Sequence, residues 1–230
     1  MKILLIAGHG AGDAGAVSTI NGVKYREAEE TRVVVGLIAD ELRNRFNAEV
    51  GIYNTARDAF KDASAGFLST AVKGYDYVCE VHFNAIRADH ANGKTKGVEV
   101  YVTNAERSIG VELQICRKLA ALGLTNRGVK RKDFDVIKTA KKVGVSAALV
   151  EVCFLDDPDD MAVYLKDKRA VARAIADGIA EGFGLSARPR TSREIVQQAA
   201  GLADSTMDYL AAYRWGNDLL DKLAAAIEKK

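Results

Sequence analysis

The chain has 230 residues, enough for one substantial core and a small appendage, with 48 % hydrophobic and 28 % charged residues. Its formal net charge is only +2, and no basic run is interleaved with aromatics, which argues against a nucleic-acid partner. No apolar run reaches the length of a membrane span, and Cys79, Cys116 and Cys153 lack the paired spacing of a disulfide framework.

Residues 2–7 are apolar without alternation, as in a strand buried on both faces. The run is too short for a signal-peptide core and leads into Gly8-His9-Gly10 rather than a cleavage site, so synthesis in the cytoplasm without a signal peptide is expected. Residues 8–24 read as a loop. Within it, Gly10-Ala11-Gly12-Asp13-Ala14-Gly15 matches the dinucleotide fingerprint, but no helix follows directly and the strand at 49–54 ends in an amide instead of an acid. These glycines are better read as letting backbone pass close to a metal and its substrate.

Residues 27–46 carry Val33, Val34, Leu37, Ile38 and Leu42 at helical spacing, with Glu27, Glu29 and Glu30 in the first turn. Spacing alone does not say which of these acids faces a site. A strand at 49–54, a helix at 56–73, and strands at 75–83 and 97–103 follow, the last two separated by a loop in which His90 reads as solvated. A helix at 106–122 ends at Gly123 and an Asn126-Arg127-Gly128 turn. The basic clusters at 130–132 and 138–142 read as solvated faces. A buried strand at 147–154 and a helix at 167–183 complete the pattern. Such alternation predicts an α/β fold: a mostly parallel or mixed twisted sheet of about six strands with helices on both faces.

A polar break at 184–192 divides the chain into 1–185 and 186–230. Beyond it, Thr191-Ser192-Arg193-Glu194 is a capping box opening a small C-terminal helical unit, with further helices at Asp204 and at 213–230. About 40 residues cannot build a secure core alone, so this unit is expected to brace the main domain, self-associate or target a partner. Trp215, the only tryptophan, reads as packed between helices.

Two of the three histidines, His9 and His82, end buried apolar runs, where an open α/β sheet collects its chemistry. Two histidines and a glutamate suit a catalytic zinc with one position open for water. Glu151, in Leu149-Val150-Glu151-Val152, would cost several kcal/mol to bury unless paired or metal-linked, and suits a general base. Cys153 shares its strand face by alternation, although core packing is the better reading. Asn84, two residues past His82, points to the same face and could orient a ligand or substrate.

In this order, Gly8-His9-Gly10…Asp13-Ala14-Gly15-Ala16, a glutamate heading the first helix, His82-Phe83-Asn84 and Val150-Glu151-Val152-Cys153-Phe154 resemble the zinc-dependent N-acetylmuramoyl-L-alanine amidases of the amidase-3 type, a family of bacterial autolysins and phage endolysins. The resemblance covers roughly residues 1–185. It implies one zinc ion per chain on His9, Glu27 and His82, Glu151 as the catalytic base, and Asn84 as a substrate contact. Glu27 is preferred to Glu29 because the family's ligand comes first in the helix. The implied substrate is peptidoglycan, cut between the lactyl group of N-acetylmuramic acid and L-alanine, with release to the wall in the holin-dependent manner of an endolysin. A zinc peptidase of the stem peptide and a non-catalytic wall-binding module are the alternatives. The chain departs from the family pattern at Thr55-Ala56-Arg57, where Thr and Arg are usually adjacent, and at Glu80, where many members carry Ser.

Overall fold

In the computed structural model, residues 1–10, 12–86 and 91–229 are described; Ala11 of the glycine-rich loop and His90 lie outside them. The opening apolar run forms β1 (Lys2–Ala7), with Ile3 to Ile6 buried as a strand covered on both faces requires. The loop expected at 8–24 contains a hairpin, β2 (Val17–Ile20) and β3 (Val23–Arg26). Its turn is Asn21-Gly22, both at positive φ, the sequence best suited to a tight two-residue hairpin. Its strands are short and mostly polar, so no apolar alternation announces them.

Helix α1 (Glu27–Arg45) leads to β4 (Glu49–Ile52). The single helix expected at 56–73 is broken into α2 (Ala59–Ser64), capped by Asp58, and α3 (Phe67–Ala71). Gly66, at φ +84°, makes the break, a conformation that ends a helix cheaply only with glycine. Strands β5 (Tyr77–Asn84) and β6 (Val98–Val102) and helix α4 (Gly110–Ala120) follow.

The expected turn at Asn126 is instead the start of β7 (Asn126–Arg131), an edge strand without an apolar run. The basic clusters are not plain solvated faces. Lys130 pairs with buried Glu99, and the Arg131 guanidinium donates to the carbonyls of Thr103 and Glu106. The second cluster belongs to α5 (Asp135–Lys142), which buries Val136, Ile137 and Ala140. Strand β8 (Ser146–Phe154) and helices α6 (Pro158–Lys166) and α7 (Lys168–Phe183) complete the first unit.

The six-stranded sheet runs β4-β1-β5-β8-β6-β7, with every pair parallel except β6 and β8. One face carries a large apolar cluster shared with α1, α4 and α7; the other carries a smaller one shared with α2, α3 and α5. From β1 the chain passes first to β4 on one side and then to β5 on the other. The carboxyl ends of β1 and β5 therefore flank a switch point, where such sheets bind ligands.

A bulge in β8 matters locally. Register pairs His82 with Glu151 but Asn84 with Phe154, so one extra residue lies between. Simple alternation fails there: Cys153 joins the cluster shared with α1 and α7 instead of facing the same way as Glu151. All three cysteines are buried free thiols.

Residues 187–230 form a second compact unit of α8 (Ser192–Ala200), α9 (Asp204–Ala212) and α10 (Gly216–Ile227). The capping box at Thr191 and Glu194 is formed, and Ile195, Val196, Met207, Leu220 and Ala224 make a small core. Trp215 is not packed between helices. It is 58 % exposed just before α10, with the Arg214 guanidinium over its ring. No described helix is long and apolar enough to cross a membrane.

Candidate metal centre

His9 leaves β1 in the left-handed region, at φ +62°, a strained conformation for a residue with a Cβ. Two residues of α1 hold the strain in place. Thr31 Oγ1 donates to the Gly8 carbonyl (3.0 Å), and the Arg32 guanidinium donates to the carbonyls of His9 (3.2 Å), Ala28 (2.6 Å) and Thr55 (2.8 Å). Neither residue carries a sequence signal beyond its place one turn into the helix.

Glu27 heads α1 and is 4 % exposed. The amides of Ala16 (2.9 Å) and Phe83 (3.0 Å) donate to its two oxygens, which orients the carboxylate between the histidines. Oε2 lies 3.0 Å from His9 Nε2, and Oε1 lies 2.9 Å from His82 Nδ1. The rings meet edge to face with centroids 4.9 Å apart. One nitrogen from each histidine and one Glu27 oxygen all lie within 4.8 Å of one another. The other acids of the helix head are engaged elsewhere: Glu29 with Arg26, and Glu30 with Tyr164 and Lys168. Of the three acids, Glu27 is the one that lies between the two histidines.

Glu151 stands beside His82 in register on β8, and its Oε2 is shielded from solvent with no partner among the described residues. Burial pushes its carboxyl up to about 7. Burial alone would lower the imidazole of His82, but hydrogen bonds to Glu27 and Glu80 outweigh it and hold that group well above the usual histidine range. Glu27 is held below the usual carboxylate range by both histidines, against the opposing effect of its own burial. The pocket as a whole favours a positive charge at its centre. An oxygen and two imidazole nitrogens converging beside an excess of buried carboxylate fit a zinc-type cation with an open position.

Asn84 is less free than expected for a substrate contact. Its amide donates to Glu99 Oε1 (2.9 Å) and its Oδ1 accepts the Ala85 N–H (2.8 Å), although it still lines the cleft. Because β6 runs antiparallel to β8, buried Glu99 lies directly opposite Glu151; it also accepts from Tyr101 (2.7 Å), Arg127 (2.6 Å) and Lys130. Neither Glu99 nor Glu80 was singled out for a role from the sequence. The signal for Glu80 is its place two residues before His82, on the same strand face. The cleft has a volume of about 580 Å³, with Phe60, Phe134 and Leu149 forming its apolar wall.

Two glycines admit no side chain here. A Cβ on Gly8 would lie 2.3 Å from the His82 ring, and one on Gly15, at φ +64°, would lie 2.6 Å from His9 Cδ2 and 2.7 Å from Glu27 Oε2. Gly15→Ala is expected to destabilise the protein by about 1–3 kcal/mol and to weaken metal binding at the same time. Thermal melts with and without zinc would show both effects.

The model of the N-acetylmuramoyl-L-alanine amidase family matches residues 3–181. The chain belongs to this family. Among curated relatives, the N-acetylmuramoyl-L-alanine amidase LytC of Bacillus subtilis is 32 % identical over 184 residues, covering 76 % of this chain and 34 % of LytC. This amidase-family chain spans about a third to a half of the length of the curated relatives it matches. The catalytic domain of CwlV, an N-acetylmuramoyl-L-alanine amidase of Bacillus (Paenibacillus) polymyxa, superposes with a TM-score of 0.63 at 24 % identity, covering 80 % of this chain and 99 % of that one. An N-acetylmuramoyl-L-alanine amidase from Clostridium difficile 630 gives 0.61 at 20 % identity, over 79 % and 94 % of the two chains. These structures share the amidase fold.

Proposed function

We propose that this chain is a peptidoglycan hydrolase that cleaves the amide between the lactyl group of N-acetylmuramic acid and the L-alanine of the stem peptide. The observation that carries the reading is the placement of Glu151. A carboxyl with one oxygen shielded from solvent and without a partner among the described residues stands next to a His-Glu-His cluster at the switch point of an amidase fold. His9, Glu27 and His82 would hold one zinc ion. When bound, zinc supplies Lewis-acid chemistry, lowering the pKa of water and polarising the scissile carbonyl.

The protein's own groups do the rest. Glu27, fixed by two backbone amides, keeps the two imidazoles turned toward each other. Asp13 Oδ2, 2.8 Å from His9 Nδ1, holds the ring that the left-handed backbone presents. Glu151 takes a proton from the attacking water and returns it to the departing alanine amine. A carboxyl raised by burial is suited to both tasks. Phe60, Phe134 and Leu149 give the cleft an apolar wall against which the substrate can pack.

The test is clearing of purified peptidoglycan by the zinc-loaded protein. Clearing that stops with EDTA and returns with zinc supports the reading. Retention on the wall without any clearing, in zinc-loaded protein and across several wall types, would replace it with a binding module. Within this proposal the enzyme reaches the wall as an endolysin does, so expression inside cells should cause lysis only when a holin opens the membrane.

A further inference from the structure

Each histidine of the centre has a second carboxylate on its far nitrogen. Asp13 serves His9, and Glu80 Oε1 lies 3.1 Å from His82 Nε2. The two acids are not equivalent. Asp13 is partly open to solvent, and its other oxygen accepts the Gly15 N–H. Glu80 is 4 % exposed, lines the cleft, and leaves Oε2 with no hydrogen-bond partner among the described residues. Its neighbours on the same face of β5 and on adjacent β8, Val78 and Leu149, are apolar. A carboxylate kept there with one oxygen unsatisfied is costly, and a cation nearby offsets that cost.

We propose that Glu80 is a positioning residue for the metal: it accepts the Nε2–H of His82, which leaves Nδ1, the nitrogen beside Glu27, as the one that gives up its proton and binds the ion. This inference rests on the zinc reading above. The same contact makes Nδ1 a stronger donor, because negative charge on the far side of an imidazole raises its basicity. The bond holds the ring of His82 in the orientation that packs edge-on against that of His9.

Zinc affinity, measured by competition with a chromophoric chelator, tests this on the full chain together with the melting temperature of the metal-free form. Glu80→Ala is expected to bind zinc about 10–100-fold more weakly. The melting temperature of its metal-free form checks that the variant folds. Glu80→Gln keeps an acceptor for Nε2–H but loses the charge, so its affinity should fall by less, by about tenfold. In cobalt-loaded protein, the visible absorption of Glu80→Ala should shift from that of the wild type as the His82 ring loses its anchor. A role in folding alone would lower melting temperature and leave affinity and spectrum unchanged, which would overturn the proposal. If Glu80→Ala does not fold, Glu80→Gln decides, and wild-type affinity in that variant overturns it too. A wild-type protein that binds no zinc would instead remove the reading on which the inference stands.

Discussion

Glu151→Gln is expected to cut the rate of peptidoglycan hydrolysis by about a thousandfold, within the range for loss of a positioned general base, with zinc content unchanged. Glutamine matches the shape of the side chain but cannot take a proton from water. Glu151 stands outside the trio that converges on the metal, so the ion should stay. Stability should hold or rise, because the wild-type Oε2 is buried without a partner and the amide carries no charge to desolvate. Rate, metal content and melting temperature, measured on one preparation, separate this outcome from misfolding. A variant as active as the wild type would remove Glu151 from the mechanism.

Removing the metal is expected to abolish activity and to lower the melting temperature by on the order of 10 °C. With zinc at a thousand times its dissociation constant, binding to the native state alone contributes about 4 kcal/mol. For a chain of this size each kcal/mol corresponds to roughly 2–4 °C. The metal-free centre keeps part of its cohesion, because Glu27 bridges both imidazoles directly at 3.0 and 2.9 Å. His82→Ala should behave like the stripped protein, without activity and without a melting shift on zinc addition. A full shift in that variant would place the ion elsewhere.

Much of this centre was legible in the sequence because its parts stand at the ends of buried strands. His9, His82 and Glu151 interrupt or terminate apolar runs, and a polar group in such a place must be satisfied by something. Glu27 was different. Three acids crowd one helix turn, and a helix N-terminus attracts acids through its dipole alone, so family resemblance had to choose among them. In the structure Glu27 meets two backbone amides and two imidazoles, contacts between residues far apart in the chain that no local pattern carries.

The elements that escaped reading share a physical cause. Strand β7 lies at the sheet edge, and its Arg127 and Lys130 reach a carboxylate on the neighbouring strand, so its pattern looks solvated. The β2–β3 hairpin is too short for a clear alternation, with only Ile20 buried and Tyr25 packed against the core, and Asn21-Gly22 is its main mark. The bulge in β8 reverses the face of Cys153 without any glycine or proline to signal it. Trp215 is the plainest miss. Its ring stays exposed in a unit too small to enclose it.

The measurement that bears most directly on the account is mass spectrometry of purified peptidoglycan digested by the zinc-loaded protein, beside an EDTA-treated control. Free stem peptides beginning with L-alanine, together with intact glycan strands and absent from the control, are the predicted products. Fragments cut between two amino acids, with the muramoyl amide intact, would contradict the account and make the same metal centre that of a peptidase.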